Sequence, residues 1–160
     1  MRKAAMKKYL LLFTLACALV PAAYSRALDI AISNTQALAF GKFVAGSGGS
    51  VIIDPNGARS ATGGVFLLAS GAGTAAQFSV TGDRKLTYAV TLPADDVVTL
   101  TKAGGGSSMA VNSFVSKPKP TRRLSGSGKQ TLKMGATLTV GAGQAVGDFS
   151  GTFDVIVVYD

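Results

Sequence analysis

From Leu28 onward, apolar and polar residues alternate in short runs separated by glycine, the two-residue period of strands with one face toward a core. Leu28, Ile30 and Ile32 share one parity, Asn34 and Gln36 interrupt it, and Leu38 and Phe40 resume it, which predicts two strands in near continuation. Residues 50–54 and 64–69 predict a hairpin around Asp54-Pro55-Asn56-Gly57, where proline presets φ and Asn-Gly accepts positive φ. Further strands are predicted at 77–81, 86–92, 97–101, 109–115, 130–140 and 149–159. Frequent glycine-rich turns and the lack of any sustained 3.6-residue pattern predict an all-β, antiparallel sandwich or barrel forming one domain over residues 28–160.

The preceding residues follow another pattern. Residues 1–8 carry Arg2, Lys3, Lys7 and Lys8, residues 9–20 are almost wholly apolar, and Pro21 ends the run before a stretch of small residues. This is the layout of a secretory signal peptide, expected over 1–27 with cleavage after Ser25 or Ala27. A membrane anchor is the rival reading, but twelve helical residues span only about 18 Å against roughly 30 Å of hydrocarbon. The mature chain is therefore expected to pass through the periplasm to the cell surface or medium, without a transmembrane segment. It is also expected to be free of cysteine, because Cys17 lies in the leader.

Composition narrows the chemistry. The 160 residues include no His, Trp or Glu, so the usual general bases and most soft-metal ligands are missing, and eight Asp and some Lys remain. Five of the 16 Lys and Arg residues lie in the leader, leaving 11 against 8 Asp, a net charge of +3. Gly126-Ser127-Gly128-Lys129 lacks the glycine and the hydroxyl that a phosphate loop needs at Arg123 and Gln130. Ser116-Lys117-Pro118-Lys119 matches a Ser-x-x-Lys pair, but its prolines favour an extended loop over the required helical turn. Asp95-Asp96 stands without a ladder of calcium ligands and is expected to be a solvated turn. No catalytic residue, metal or cofactor is expected, and the chain is read as non-enzymatic.

One cluster carries charge without an acid: Lys117, Lys119, Arg122, Arg123, Lys129 and Lys133. Either it is a solvated loop and a charge-protected edge strand, or it contacts a polyanion such as an anionic glycan. Nucleic acid is disfavoured, since aromatic stacking partners are missing nearby. The C-terminal stretch is apolar on odd positions, Phe149, Phe153, Val155, Val157 and Tyr159, with Gly151 in the same parity. As one strand it would span roughly 35 Å. It is either a central strand of a complete sandwich or a strand left unpaired on one side until another chain supplies its neighbour.

That tail resembles the last strand of chaperone–usher pilus subunits, with Tyr159 penultimate and Gly147 fourteenth from the end. Leu38-Ala39-Phe40-Gly41 is similar to the first sandwich strand of spore-coat-U-like archaic pilins. Across nearly the whole mature chain the closer resemblance is to the secreted bacterial domain-of-unknown-function 4402 family. It rests on Leu38-Ala39-Phe40-Gly41-Lys42-Phe43-Val44-Ala45-Gly46, Arg59-Ser60-Ala61-Thr62-Gly63-Gly64, Ala76-Gln77-Phe78-Ser79-Val80-Thr81-Gly82 and Gly147-Asp148-Phe149-Ser150-Gly151-Thr152-Phe153.

The pilin resemblance implies an immunoglobulin-like sandwich lacking one strand, assembled at the cell surface by donor-strand complementation. Its implied partners are other copies or related subunits, a periplasmic chaperone and an outer-membrane usher. Leu28, Ile30 and Ile32 would form the donor strand. Gly147, Phe149, Phe153, Val155, Val157 and Tyr159 would form the accepting edge, and the Asp160 carboxylate would anchor to the chaperone. The alternative is a self-contained secreted or periplasmic sandwich that binds an anionic glycan or surface polymer through residues 117–133.

Overall fold

The computed structural model describes residues 29–160, so the expected leader and Leu28 lie outside the described residues. Among the described residues there are thirteen strands, every pairing antiparallel, and no helix. They are β1 (Ala31–Gln36), β2 (Phe43–Val44), β3 (Gly49–Ile53), β4 (Arg59–Gly63), β5 (Phe66–Leu67), β6 (Ala76–Thr81) and β7 (Thr87–Thr91). Next come β8 (Val98–Lys102), β9 (Ser108–Lys117), β10 (Thr121–Arg123), β11 (Lys129–Val140), β12 (Phe149–Ser150) and β13 (Ile156–Tyr159).

A large sheet runs β1-β6-β11-β9-β8-β12, with the β3–β4 hairpin attached beside β11. The long β11 makes this branching possible: Lys129 to Met134 pair with β6, Ala136 to Val140 pair with β3, and β9 lies along the other edge. A second sheet, β10-β7-β13, faces only part of the first. Between them lies one core cluster, with Phe78 and Val80 of β6 and Leu132 and Met134 of β11 against Tyr88 and Val90 of β7. The other cluster, around Val51, Ile53, Val98, Val111 and Leu138, is capped by Phe40, Val65 and Ala75. Of these three only Ala75 has a neighbour in a long strand; the cap itself is mostly irregular chain around the short β2–β5 pair.

A bulge in β9 sets which residues reach the interior. Asn112 pairs with Thr137 and Val115 with Gly135, so Ser113 and Phe114 together oppose one residue of β11. Before the bulge Met109 and Val111 point inward; after it the parity flips, Phe114 turns in and Val115 is left exposed. Ser113 takes a φ of 52°, and its N–H donates to Asp95 Oδ1 at 2.6 Å. The neighbouring Asp96 N–H donates to Asn112 Oδ1 at 2.8 Å. The Asp95-Asp96 pair is the exposed turn expected, and its Asp95 carboxylate also satisfies a backbone N–H at the bulge.

Three expectations are corrected. The turn at 54–57 forms, but its return strand is β4 at Arg59–Gly63, not 64–69, because Ile53 already pairs with Arg59. Leu38 and Phe40 are not in a strand; only a bridge from Ala39 to Thr74 marks that segment. The tail is not one strand. β12 pairs with β8 in the large sheet, the chain crosses between the layers, and β13 pairs with β7 in the other. Phe153 sits at the crossing, with ring centroids 6.4 Å from Phe78 and 5.2 Å from Phe114. Ile32 belongs to β1 and lies opposite Val80 of β6, and both Ile30 and Ile32 pack on the chain's own core. Two of the expected donor residues are therefore engaged within this chain.

Candidate functional site: an apolar groove and an open strand edge

Where the second sheet stops short, the large sheet's inner face opens into a groove of about 880 Å³. Its floor is Val98, Leu100, Met109, Val111 and Leu138. One wall is residues 38–46 and the other is residues 143–151 with Phe153. The volume falls in the range of ligand clefts, and the lining is mostly apolar.

The first wall is held by a glycine and an arginine. Gly41 has a φ of 71°, and a Cβ there would overlap the Gly71 carbonyl, so chain 38–46 can lie against loop 68–74 only with glycine at that place. Arg59, half-buried in β4, donates from Nη2 to Lys42 O at 2.6 Å and from Nη1 to Gly71 O at 2.5 Å and Leu68 O at 3.3 Å. Burial lowers the Arg59 pKa from its ordinary value. This clamp was not foreseen from the sequence; its only trace there was a lone cation in a glycine- and alanine-rich strand. The second wall carries Val146, 92% exposed, and Gly147, at φ 151°, packed on the Lys102 side chain.

The second wall leads through Phe153 into β13. That strand pairs with β7 through Ile156–Thr91, Val157–Val90, Val158–Ala89 and Tyr159–Tyr88. Among the described residues, no strand pairs with Ile156, Val157 or Val158 on the other side. Phe153, Val155, Val157 and Tyr159 pack toward the core, as their parity predicts. Ile156 (56% exposed) and Val158 (50% exposed) present apolar side chains on the opposite face. The Asp83 N–H donates to the Tyr159 hydroxyl at 2.5 Å, and Asp160 N–H donates to Thr87 O at 3.1 Å.

The structure thus joins the expected edge residues in one path, Gly147 and Phe149 in the groove wall, Phe153 at the crossing, and Val155, Val157 and Tyr159 on the inner side of the edge. Ile30 and Ile32 lie against the same core cluster as Val155, Val157 and Tyr159, while Leu28 lies outside the described residues.

The six cations do not form one patch. Lys117, Lys129 and Lys133 belong to the large sheet, with Lys117 directly opposite Lys133. Arg122 and Arg123 belong to β10 at the edge of the other sheet, opposite Tyr88 and Thr87. Arg123 Nε is bound to Lys85 O, and Lys119 is exposed in the connection. Tyr88 is fully buried; desolvation raises its pKa, and the charge of Arg122 acts in the opposite direction. In the Ser-x-x-Lys segment, Ser116 Oγ donates to Pro118 O rather than to the Lys119 amine, and the neighbouring Lys117 Nζ donates to Asn56 Oδ1.

Among the described residues no group of three or more Cys, Asp, Glu or His side chains is placed to hold a metal ion, and no helix is long and apolar enough to cross a membrane. No curated protein and no solved structure matches the chain. The family described as domain of unknown function (DUF4402) matches residues 30–159, a span containing both groove walls, the Arg59 clamp and β13. The chain belongs to that family.

Proposed function

We propose that the chain is a non-enzymatic, exported structural subunit that assembles at the cell surface by accepting a strand from another copy or a related subunit. One observation carries this reading: the tail that lines the apolar groove continues into a strand with one edge open and apolar side chains on both faces. Water-soluble proteins blunt such edges with lysine, proline or a bulge, and Ile156-Val157-Val158 carries none of these. A strand added there gains main-chain hydrogen bonds from the edge and apolar contacts from the groove. A periplasmic chaperone and an outer-membrane usher join the proposal through the tail's similarity to pilus subunits, and export through the expected leader.

The donor is the N-terminal segment of a neighbour, in which Ile30 and Ile32 must first leave their places beside β6. The test is assembly of the exported chain, followed by electron microscopy and sedimentation, against the double variant Ile156→Lys with Val158→Lys. Fibres or large assemblies from the native chain, and soluble single copies from the variant, are expected. Assembly by the variant at the native level would refute an acceptor edge at β13.

A further inference from the structure

The outer face of the large sheet carries a second surface, whose charged residues lie on β9 and β11, away from the β13 edge. Strands β1, β6, β9 and β11 contain no acidic residue. Their register sets outward side chains in rows: Gln77, Lys133 and Lys117 in one, Ser79 and Thr131 beside β1 in the next, and Thr81 and Lys129 in a third. Lys129 and Lys133 are four residues apart on one strand, roughly 13 Å. Like charges placed directly opposite, as Lys117 and Lys133 are, destabilise a sheet unless an anion lies between them. Among the described residues neither Lys129 Nζ nor Lys133 Nζ has a hydrogen-bond or ion-pair partner. Lys117 Nζ donates to the neutral Asn56 Oδ1 at 2.9 Å, and the Asp54 carboxylate of that turn is occupied by the N–H groups of Asn56 and Ala58.

We infer that this face binds an extended anionic polysaccharide, its acidic groups meeting the Lys117–Lys133 pair at one end and Lys129 at the other, with its hydroxyls on Ser79, Thr131 and Gln77. Charge complementarity selects an anionic chain. The rows hold no aromatic ring on which a base would stack, which separates this partner from nucleic acid. They hold no large apolar side chain to enter a membrane. Arg122 and Arg123 lie in the other sheet and take no part. In a fibre the face would repeat with every subunit, so that weak single contacts add through multivalency.

The test measures binding of the exported chain to alginate, a linear polyuronate, with dextran as the neutral control and a single-stranded oligonucleotide as the competing polyanion. The triple variant Lys117→Gln, Lys129→Gln, Lys133→Gln is compared with the double variant Arg122→Gln, Arg123→Gln. Salt-sensitive alginate binding that falls at least about tenfold in the triple variant, and is retained in the double variant, is expected. The inference is overturned if the native chain does not bind alginate, if dextran binds equally, if the two variants lose binding alike, or if the oligonucleotide binds more tightly. All five substitutions are at solvent-accessible positions, and unchanged melting temperatures check that the variants fold.

Discussion

Asp54 shows how one side chain fixes a turn. Its carboxylate accepts from Ala58 N–H at 2.7 Å and Asn56 N–H at 2.8 Å, and the Ala58 bond is the chief cause of a pKa below the ordinary 3.8. A carboxyl whose pKa is depressed by folding supports the fold above its unfolded value and loses that support as pH falls through its folded value. The amide resonances of Asn56 and Ala58 are therefore expected to move with a titration midpoint below pH 3.8. A midpoint at or above that pH would contradict the assignment. Asp95 plays the corresponding part at the β9 bulge, where its Oδ1 takes the Ser113 N–H. Asp95→Ala leaves that donor to water, and a loss of about 1 to 2 kcal/mol by denaturant unfolding is expected.

At the scale of the element, the informative case is the tail, where periodicity showed which side chains face inward but not where the strand breaks. Val155, Val157 and Tyr159 pack as their parity predicts, because alternation records facing alone. The crossing between sheets depends on what Phe153 meets, and Phe78 and Phe114 are remote in sequence. Phe114 itself reaches the interior through a bulge whose acceptor, Asp95, is 18 residues away. The turn at 54–57 was legible because Pro55, Asn56 and Gly57 act locally. The return strand was misplaced because Arg59-Ser60-Ala61-Thr62 has little apolar alternation and is held by pairing with β3 and by the Arg59 clamp. The groove was illegible for the same reason: its floor and walls come from segments that only the topology brings together. Since Phe153 ties both core clusters, Phe153→Ala is expected to cost about 3 kcal/mol in unfolding free energy. A cost near zero would mean that the crossing segment is not fixed by packing.

The molecule as a whole is a two-layer structure in which one layer is shorter than the other. Where β7 and β13 cover β6 and β11 the interior is closed, and Tyr88, Leu132 and Met134 are fully buried. Over β3, β8 and β9 the cover is irregular chain, and the groove remains. Filling the groove and pairing the β13 edge with one extended segment would bury several large apolar side chains, each worth about 1.5 to 3 kcal/mol. That total is comparable with the net stability of an ordinary domain. The proposed function requires that a strand from another chain complete this site.

The deciding experiment is size-exclusion chromatography with light scattering, together with thermal melting, on residues 28–160 and on the same chain carrying a second copy of residues 28–34 after Asp160. A flexible linker there lets the added segment run back antiparallel along β13. The unaltered chain is expected to be heterogeneous or polymeric, and the fused chain a single monomeric species melting well above it. A native chain that is already a uniform monomer, with a melting temperature unchanged by the fusion, would contradict the proposed function.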